Sequence, residues 1–279
     1  MNLKIGNLSF LNMNTHYFRY SWDYFLEKQR EQLIDSFVFW ASVPHIWIDQ
    51  YASEDFSNKV QMLQALSISI PIIIARPYNY TLFADQNSIL AFCSESYYKN
   101  IIDFSSSFNV RKVGLCLWGA LRDIEHEQQY FNFRRILGKL CGYAEEKGCT
   151  ISIINTSYTH SALMNSLSEI TNIIHDIDSK FLTVGMNYAD AIGRGETISQ
   201  WVDTLGQNLS FIMLSDLKEG KMGYKLGTGS CPIYEDLHYL NAISYSGEIA
   251  LYNESGHYDQ NPSNTDRDNF QWLKKTLES

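Results

Sequence analysis

The stretch FLTVGMNYADAIGRGE, residues 181–196, opens with a continuous apolar run that stops at Asn187 and passes into a glycine-punctuated polar segment. A strand buried on both faces reads this way, because helices cover a parallel sheet on both sides and leave no solvent face to encode. GRGE at its end reads as a turn ahead of a helix. The same pattern recurs along the chain. Eight apolar runs of strand length stand at 3–7, 36–40, 69–75, 112–118, 150–155, 181–187, 209–214 and 248–253. Helical patterns are clearest at 89–108, 124–147, 161–176 and 263–277. In the second of these, Tyr130, Phe133, Leu137, Leu140, Cys141 and Ala144 form one apolar stripe, and Gly148 supplies a left-handed position to end it. Eight strand–helix units in 279 residues predict α/β architecture: a single (β/α)8 TIM barrel spanning 1–279 as one domain. A doubly wound open sheet is the competing arrangement, since counting strands does not close a barrel.

Composition narrows the partners. With 22 basic against 31 acidic residues the net charge is −9, which removes the electrostatic attraction behind non-specific nucleic-acid binding. No apolar stretch reaches the roughly 18 residues of a membrane span, and MNLKIGNLSF lacks the basic segment and cleavage site of a signal peptide, so a cytoplasmic location is expected. Cys93, Cys116, Cys141, Cys149 and Cys231 are odd in number and lack CxxC spacing, and they read as small buried residues rather than as disulfides or a thiolate metal site. The Walker loop, the dinucleotide fingerprint and the GxSxG elbow are absent from the sequence.

A barrel of this kind builds its site at the C-terminal ends of the strands. The residues there are Asn7, Trp40 with Pro44 and His45, Arg76 with Tyr78 and Asn79, Trp118, Asn155 with His160, Asn187 with Asp190, Ser215 with Asp216, and Glu254 with His257.

Local runs among them resemble one family. DSFVFWASVPH (35–45) is similar to a second strand that typically reads DGIEIWGGRPH, with Trp40, Pro44 and His45 in place. CGYAEEKGCTISII (141–154) is similar to CEYAEKxGxxLxLE, LSFIMLSD (209–216) to xxHxHxxD, and LGTGSCPI (226–233) to the glycine loop PGxGxIP. The family is that of the xylose isomerase-like barrels, which includes ketose 3-epimerases, fructoselysine-type epimerases and endonuclease IV. Its sugar enzymes hold one divalent ion with a glutamate, an aspartate, a histidine and a glutamate at four strand ends. The ion polarises the sugar carbonyl, and the glutamates move the proton.

Carried over residue by residue, those four ligand positions fall on Ile154, Asn187, Met213 and Tyr252, and the second strand's glutamate on Val38. A one-residue slip would put Asn155 in the first place. The resemblance therefore implies a sugar or sugar-phosphate isomerase/epimerase relative whose ordinary metal site is degenerate and which needs no cofactor. One alternative is a displaced site for Mn, Mg, Co or Zn made from His160, Asp190, Glu254 and His257. The other is a metal-free barrel in which Glu254 or Asp190 acts as base and His45 or His160 as acid. For substrate binding the expected residues are Trp40, His45, Arg76, Trp118, Asn155, Asn187, Asp216 and Tyr252, with the backbone of Gly227 and Gly229 presented to a phosphate. Each has a structural counterpart reading: core aromatic, loop anchor or tight turn. A non-catalytic barrel that binds a ligand or a protein partner, or forms a homo-oligomer through its outer helices, is the reading from another class.

Overall fold

The computed structural model describes residues 8–10, 17–32, 36–41, 45, 46, 48, 54–75, 88–116, 122–155, 163–254 and 261–278. Every apolar run from 112 onward is a strand: β4 (Lys112–Cys116), β5 (Thr150–Ile154), β6 (Leu182–Asn187), β7 (Leu209–Leu214) and β10 (Glu248–Leu251). Before them stand β1 (Leu8–Phe10), β2 (Phe39–Ala41) and β3 (Ile73–Ala75). The first strand thus lies just beyond the expected run at 3–7, which is outside the described residues. These strands pair in parallel in the order β1-β10-β7-β6-β5-β4-β3-β2, an eight-stranded sheet whose end strands are the first two of the chain. All six residues of β7 are buried, as a strand covered on both faces requires.

Helices fill the outer layer: α1 (Trp22–Glu31), α2 (Glu54–Ala65), α3 (Ser88–Ser107), α4 (His126–Glu146), α5 (Leu167–Ile177), α6 (Tyr188–Gly193), α7 (Ile198–Leu205), α8 (Ile233–Ala242) and α9 (Pro262–Glu278). Helix α4 ends where the sequence predicts, with Gly148 at φ +64°. Helix α5 starts later than the 161 expected, because Ser166 and Glu169 form a reciprocal capping box that satisfies the first free amides. One element was not anticipated at all: β8 (Asp216–Lys218) and β9 (Lys221–Tyr224) form an antiparallel hairpin behind β7. Its turn residues Glu219 and Gly220 both have positive φ, 52° and 73°, as a two-residue primed turn demands. Cys116, Cys141 and Cys149 are buried as expected, whereas Cys93 is exposed on α3 and Cys231 is partly exposed.

The interior face of the sheet can be read from its glycines. A Cβ on Gly185 would lie 2.8 Å from Ile154 Cγ1 and 2.9 Å from Phe211 Cδ1. Strand β6 therefore omits a side chain where its neighbours β5 and β7 fill the space.

At the opposite end of the strands Lys112 donates from Nζ to the Ser210 carbonyl at 3.1 Å. Burial lowers its pKa from the ordinary lysine value, against the pull of the buried Glu248 carboxylate. A lysine whose folded pKa is depressed binds fewer protons folded than unfolded, so it adds stability as pH rises from that folded pKa toward about 10.4. Cys141 and Tyr245, both pushed up by burial, act in the opposite sense once pH exceeds about 8.5. The difference between two proteins isolates the lysine. Between about pH 7 and about pH 10, the melting temperature of Lys112→Met should gain less, or fall more, than that of the parent. Parallel curves would show that the ammonium carries no burial cost.

Candidate functional site

Side chains of a strand alternate between its two faces, so register decides which strand-end residues meet. Ile154 pairs with Gly185, two residues before Asn187. Asn187 pairs with Met213, and Met213 with Ala250, two residues before Tyr252. The Tyr252 amide continues the ladder to the Leu214 carbonyl at 2.9 Å. Ile154, Asn187, Met213 and Tyr252 thus lie on one face of the sheet, the face that Ile154 and Phe211 fill against Gly185. All four are buried.

Two further groups share that face. The Trp40 ring, at the end of β2, stacks on the Tyr252 ring with centroids 6.2 Å apart. Glu254, two residues beyond Tyr252 and of the same parity, accepts a hydrogen bond at Oε1 from the Tyr252 hydroxyl. The hairpin closes in beside them: Asn187 Nδ2 reaches Met222 Sδ at 3.3 Å, and the Glu254 amide donates to the Gly223 carbonyl at 3.0 Å. Asn187 Oδ1 is buried and has no hydrogen-bond partner among the described residues. A buried amide oxygen left this way costs about 1–3 kcal/mol unless something else supplies a donor.

Other expected site residues are held in the scaffold. Asn155 follows the last residue of β5 and has the opposite parity to Ile154. Its Oδ1 accepts from the Asn187 amide at 2.5 Å, and its Nδ2 donates to the Asn187 carbonyl at 3.3 Å and to Asp190 Oδ2 at 3.2 Å. Asp190 also pairs with Arg194, whose guanidinium reaches Glu196 at 3.3 Å, and Glu196 accepts from the Trp201 indole at 2.9 Å and from the Leu167 amide at 3.0 Å. This chain of contacts ties the ends of β5 and β6 to α5, α6 and α7. It occupies Asp190 with structure rather than with a free base. The His45 ring is buried beside Trp22 and Phe25, with Nε2 2.8 Å from the Tyr20 carbonyl oxygen, so the expected acid is an anchor of the loop after β2.

The glycine loop is likewise spoken for. Asp216, fully buried, accepts at Oδ1 from the amides of Leu217 at 2.8 Å and Cys231 at 3.0 Å, and at Oδ2 from Gly229 at 2.7 Å. An internal carboxylate fills the donor cradle expected to take a phosphate. Gly227, at φ +74°, sits against the Trp272 indole. Arg76, Trp118, His160 and His257 lie outside the described residues, which leaves only Asp190 and Glu254 of the set expected for a displaced metal within them. Among the described residues no group of three or more His, Cys, Asp and Glu side chains comes together to hold an ion.

A family model described as a xylose isomerase-like TIM barrel matches residues 35–276. The chain belongs to that family. Solved structures with the same fold include the D-psicose 3-epimerase with D-tagatose from Clostridium cellulolyticum H10, at 13% identity and TM-score 0.78 over 96% of this chain and 97% of that one. An L-ribulose 3-epimerase aligns at 14% identity and TM-score 0.79, over 98% and 94% of the two chains. The 3-keto-D-glucoside 4-epimerase of E. coli aligns at 14% and 0.78, over 98% and 100%. No curated protein matches this sequence.

The four positions to which the resemblance carries the metal ligands offer little to an ion. Ile154 has no donor atom, Met213 offers a soft thioether, and the Tyr252 hydroxyl is donating to Glu254. Asn187 alone presents a hard oxygen, and it is neutral. The set does not fit a magnesium- or manganese-type ion. The contacts missed from sequence are those of the hairpin, Met222 and Gly223. The signal was present in LKEGKM (217–222), a Glu-Gly turn between alternating residues.

Proposed function

We propose that this chain is a closed (β/α)8 barrel, its β1 and β2 edges meeting, which binds a small unphosphorylated carbohydrate at its C-terminal mouth and has lost the four-ligand metal site of its sugar isomerase and epimerase relatives. The observation that carries the reading is the interior face of the strand ends. An aromatic pair, Trp40 on Tyr252, stands beside a carboxylate at Glu254 and a buried amide oxygen at Asn187 that has no donor among the described residues. Sugars are bound by such sets, because ring C–H groups pack on aromatic faces while hydroxyls donate to fixed oxygens. A phosphate finds less here: Asp216 has taken the Gly229 and Cys231 amides of the loop, and Arg194 is shared between Asp190 and Glu196.

Calorimetric titration with D-tagatose, D-fructose and their phosphate esters, with and without EDTA, tests the reading. Binding of a free ketose that EDTA leaves unchanged is the expected result. Binding confined to the esters, binding that needs added Mn2+, or no ketose binding would overturn it. Asn187→Leu adds a sharper check. It removes a buried oxygen that has no partner among the described residues while roughly keeping volume, so it should stabilise the free protein by about 1 kcal/mol and weaken ketose binding about tenfold. A variant that loses stability without losing affinity would mean that the amide serves the fold alone.

A further inference from the structure

We infer that Tyr252 and Glu254 form a metal-independent acid–base pair that enolises the bound sugar, an inference that rests on the carbohydrate reading above. Removing a proton from the carbon beside a ketone leaves negative charge on the carbonyl oxygen. In the resembling enzymes a divalent ion takes up that charge, and here the four ligand positions are Ile154, Asn187, Met213 and Tyr252. The strand that has exchanged its metal ligand for a tyrosine has placed a carboxylate two residues on, on the same face, in hydrogen-bond contact with that tyrosine's hydroxyl.

The pair is held from both sides. Tyr252 is buried with its ring against Trp40. Glu254 lies over Gly223, where a Cβ would come within 2.7 Å of its Cγ and 2.8 Å of its Cβ, so a glycine in β9 is what lets the side chain settle against the hairpin. Among the described residues Glu254 forms no ion pair with a lysine, arginine or histidine, and its side-chain partner is the Tyr252 hydroxyl.

The step balances without an external charge. The Glu254 carboxylate takes the proton from the carbon next to the carbonyl. That C–H bond breaks, its electron pair forms the C=C bond, and the carbonyl π pair moves onto oxygen. The oxygen takes the proton of the Tyr252 hydroxyl, and the Tyr252 oxygen recovers a proton from Glu254 through the bond that joins them. The product is a neutral enediol and the pair is restored; nothing is oxidised or reduced. A relay of this kind answers the loss of the ion, because the charge is quenched by proton transfer instead of being screened.

The experiment uses the full chain, stripped of metal with EDTA, in D2O with D-tagatose or D-fructose, whichever binds. Proton NMR follows loss of the C–H signal beside the carbonyl as deuterium enters. With ketose at saturating concentration for each protein, exchange in the parent is expected, with a loss of about a hundredfold or more in both Tyr252→Phe and Glu254→Gln. Tyr252→Phe keeps the ring on Trp40, and melting curves establish that both variants fold. Binding without exchange, exchange that survives Tyr252→Phe, or exchange that requires Mn2+ would each overturn the inference and leave the binding reading standing. Failure of the parent to bind any ketose would remove the binding reading and this one with it, so the two failures are told apart.

Discussion

Asp216→Ala should lower the melting temperature by about 10 °C. The carboxylate is fully buried and accepts three backbone amides, from Leu217, Gly229 and Cys231, at 2.8, 2.7 and 3.0 Å. Hydrogen bonds to a charged acceptor contribute roughly 1.5–3 kcal/mol each, and deleting the acceptor leaves the donors unsatisfied. Bonds that share one group do not add in full, so about 4 kcal/mol is expected, and in a chain of this size each kcal/mol moves the midpoint by about 2–4 °C. Asp216→Asn keeps the shape but turns one acceptor oxygen into a donor, and an intermediate loss should follow. Gly229→Ala attacks the same contact from the other side: its Cβ would stand 2.2 Å from the Leu217 carbonyl oxygen and 2.5 Å from Asp216 Oδ1. Scanning calorimetry on the two single variants and the double should therefore find strong non-additivity. A shift under about 2 °C for Asp216→Ala would mean that the glycine loop is not hung from this carboxylate.

Placing the ligands of the resembling sugar enzymes at the four positions the resemblance assigns to them is the second large effect. Ile154→Glu, Asn187→Asp, Met213→His and Tyr252→Glu together should convert the chain into one that needs a divalent ion. The four positions are side by side on one face by register, and the new set supplies hard oxygens and one imidazole. Without metal, three carboxylates would replace buried, largely apolar side chains, and repulsion plus desolvation should destabilise the fold by several kcal/mol. Mn2+ at about a hundred times its dissociation constant would return about 2.7 kcal/mol. Thermal melts in Mn2+ and in EDTA measure both halves, and the parent should show no difference between them. A quadruple variant indifferent to Mn2+ would show that these residues do not converge as the pairing says.

The strands from 112 onward were legible because each is covered on both sides, and a doubly buried strand has to be written as a continuous apolar run. Helix α4 was legible for the corresponding reason: its stripe and its closing glycine are local requirements, met within a few residues of one another. The start of α5 differs from the apolar pattern because the capping box of Ser166 and Glu169 satisfies the first free amides there and overrides the periodicity ahead of it. The hairpin of β8 and β9 escaped for a different reason. Two short strands with a Glu-Gly turn bury little of their own, and they are stabilised by what they lie on, Asn187, Asn253 and Glu254.

The candidate site divides along the same line. From the sequence by itself came the strand ends as the place to look, the expectation that the ligand positions of the resembling enzymes fall on Ile154, Asn187, Met213 and Tyr252, and the presence of polar residues nearby. These follow from residue type and spacing along the chain. Which polar residues are left for a ligand was decided by tertiary structure alone. Asn155, Asp190, His45 and Asp216 are chemically as capable as Asn187 and Glu254, yet their bonding capacity goes to backbone and side-chain partners up to dozens of residues away. A one-residue difference in strand parity sends Asn155 to the helices and Asn187 to the interior. Such outcomes depend on register between strands and on closure of loops over them, and a sequence records the donors and acceptors without recording who has already claimed them.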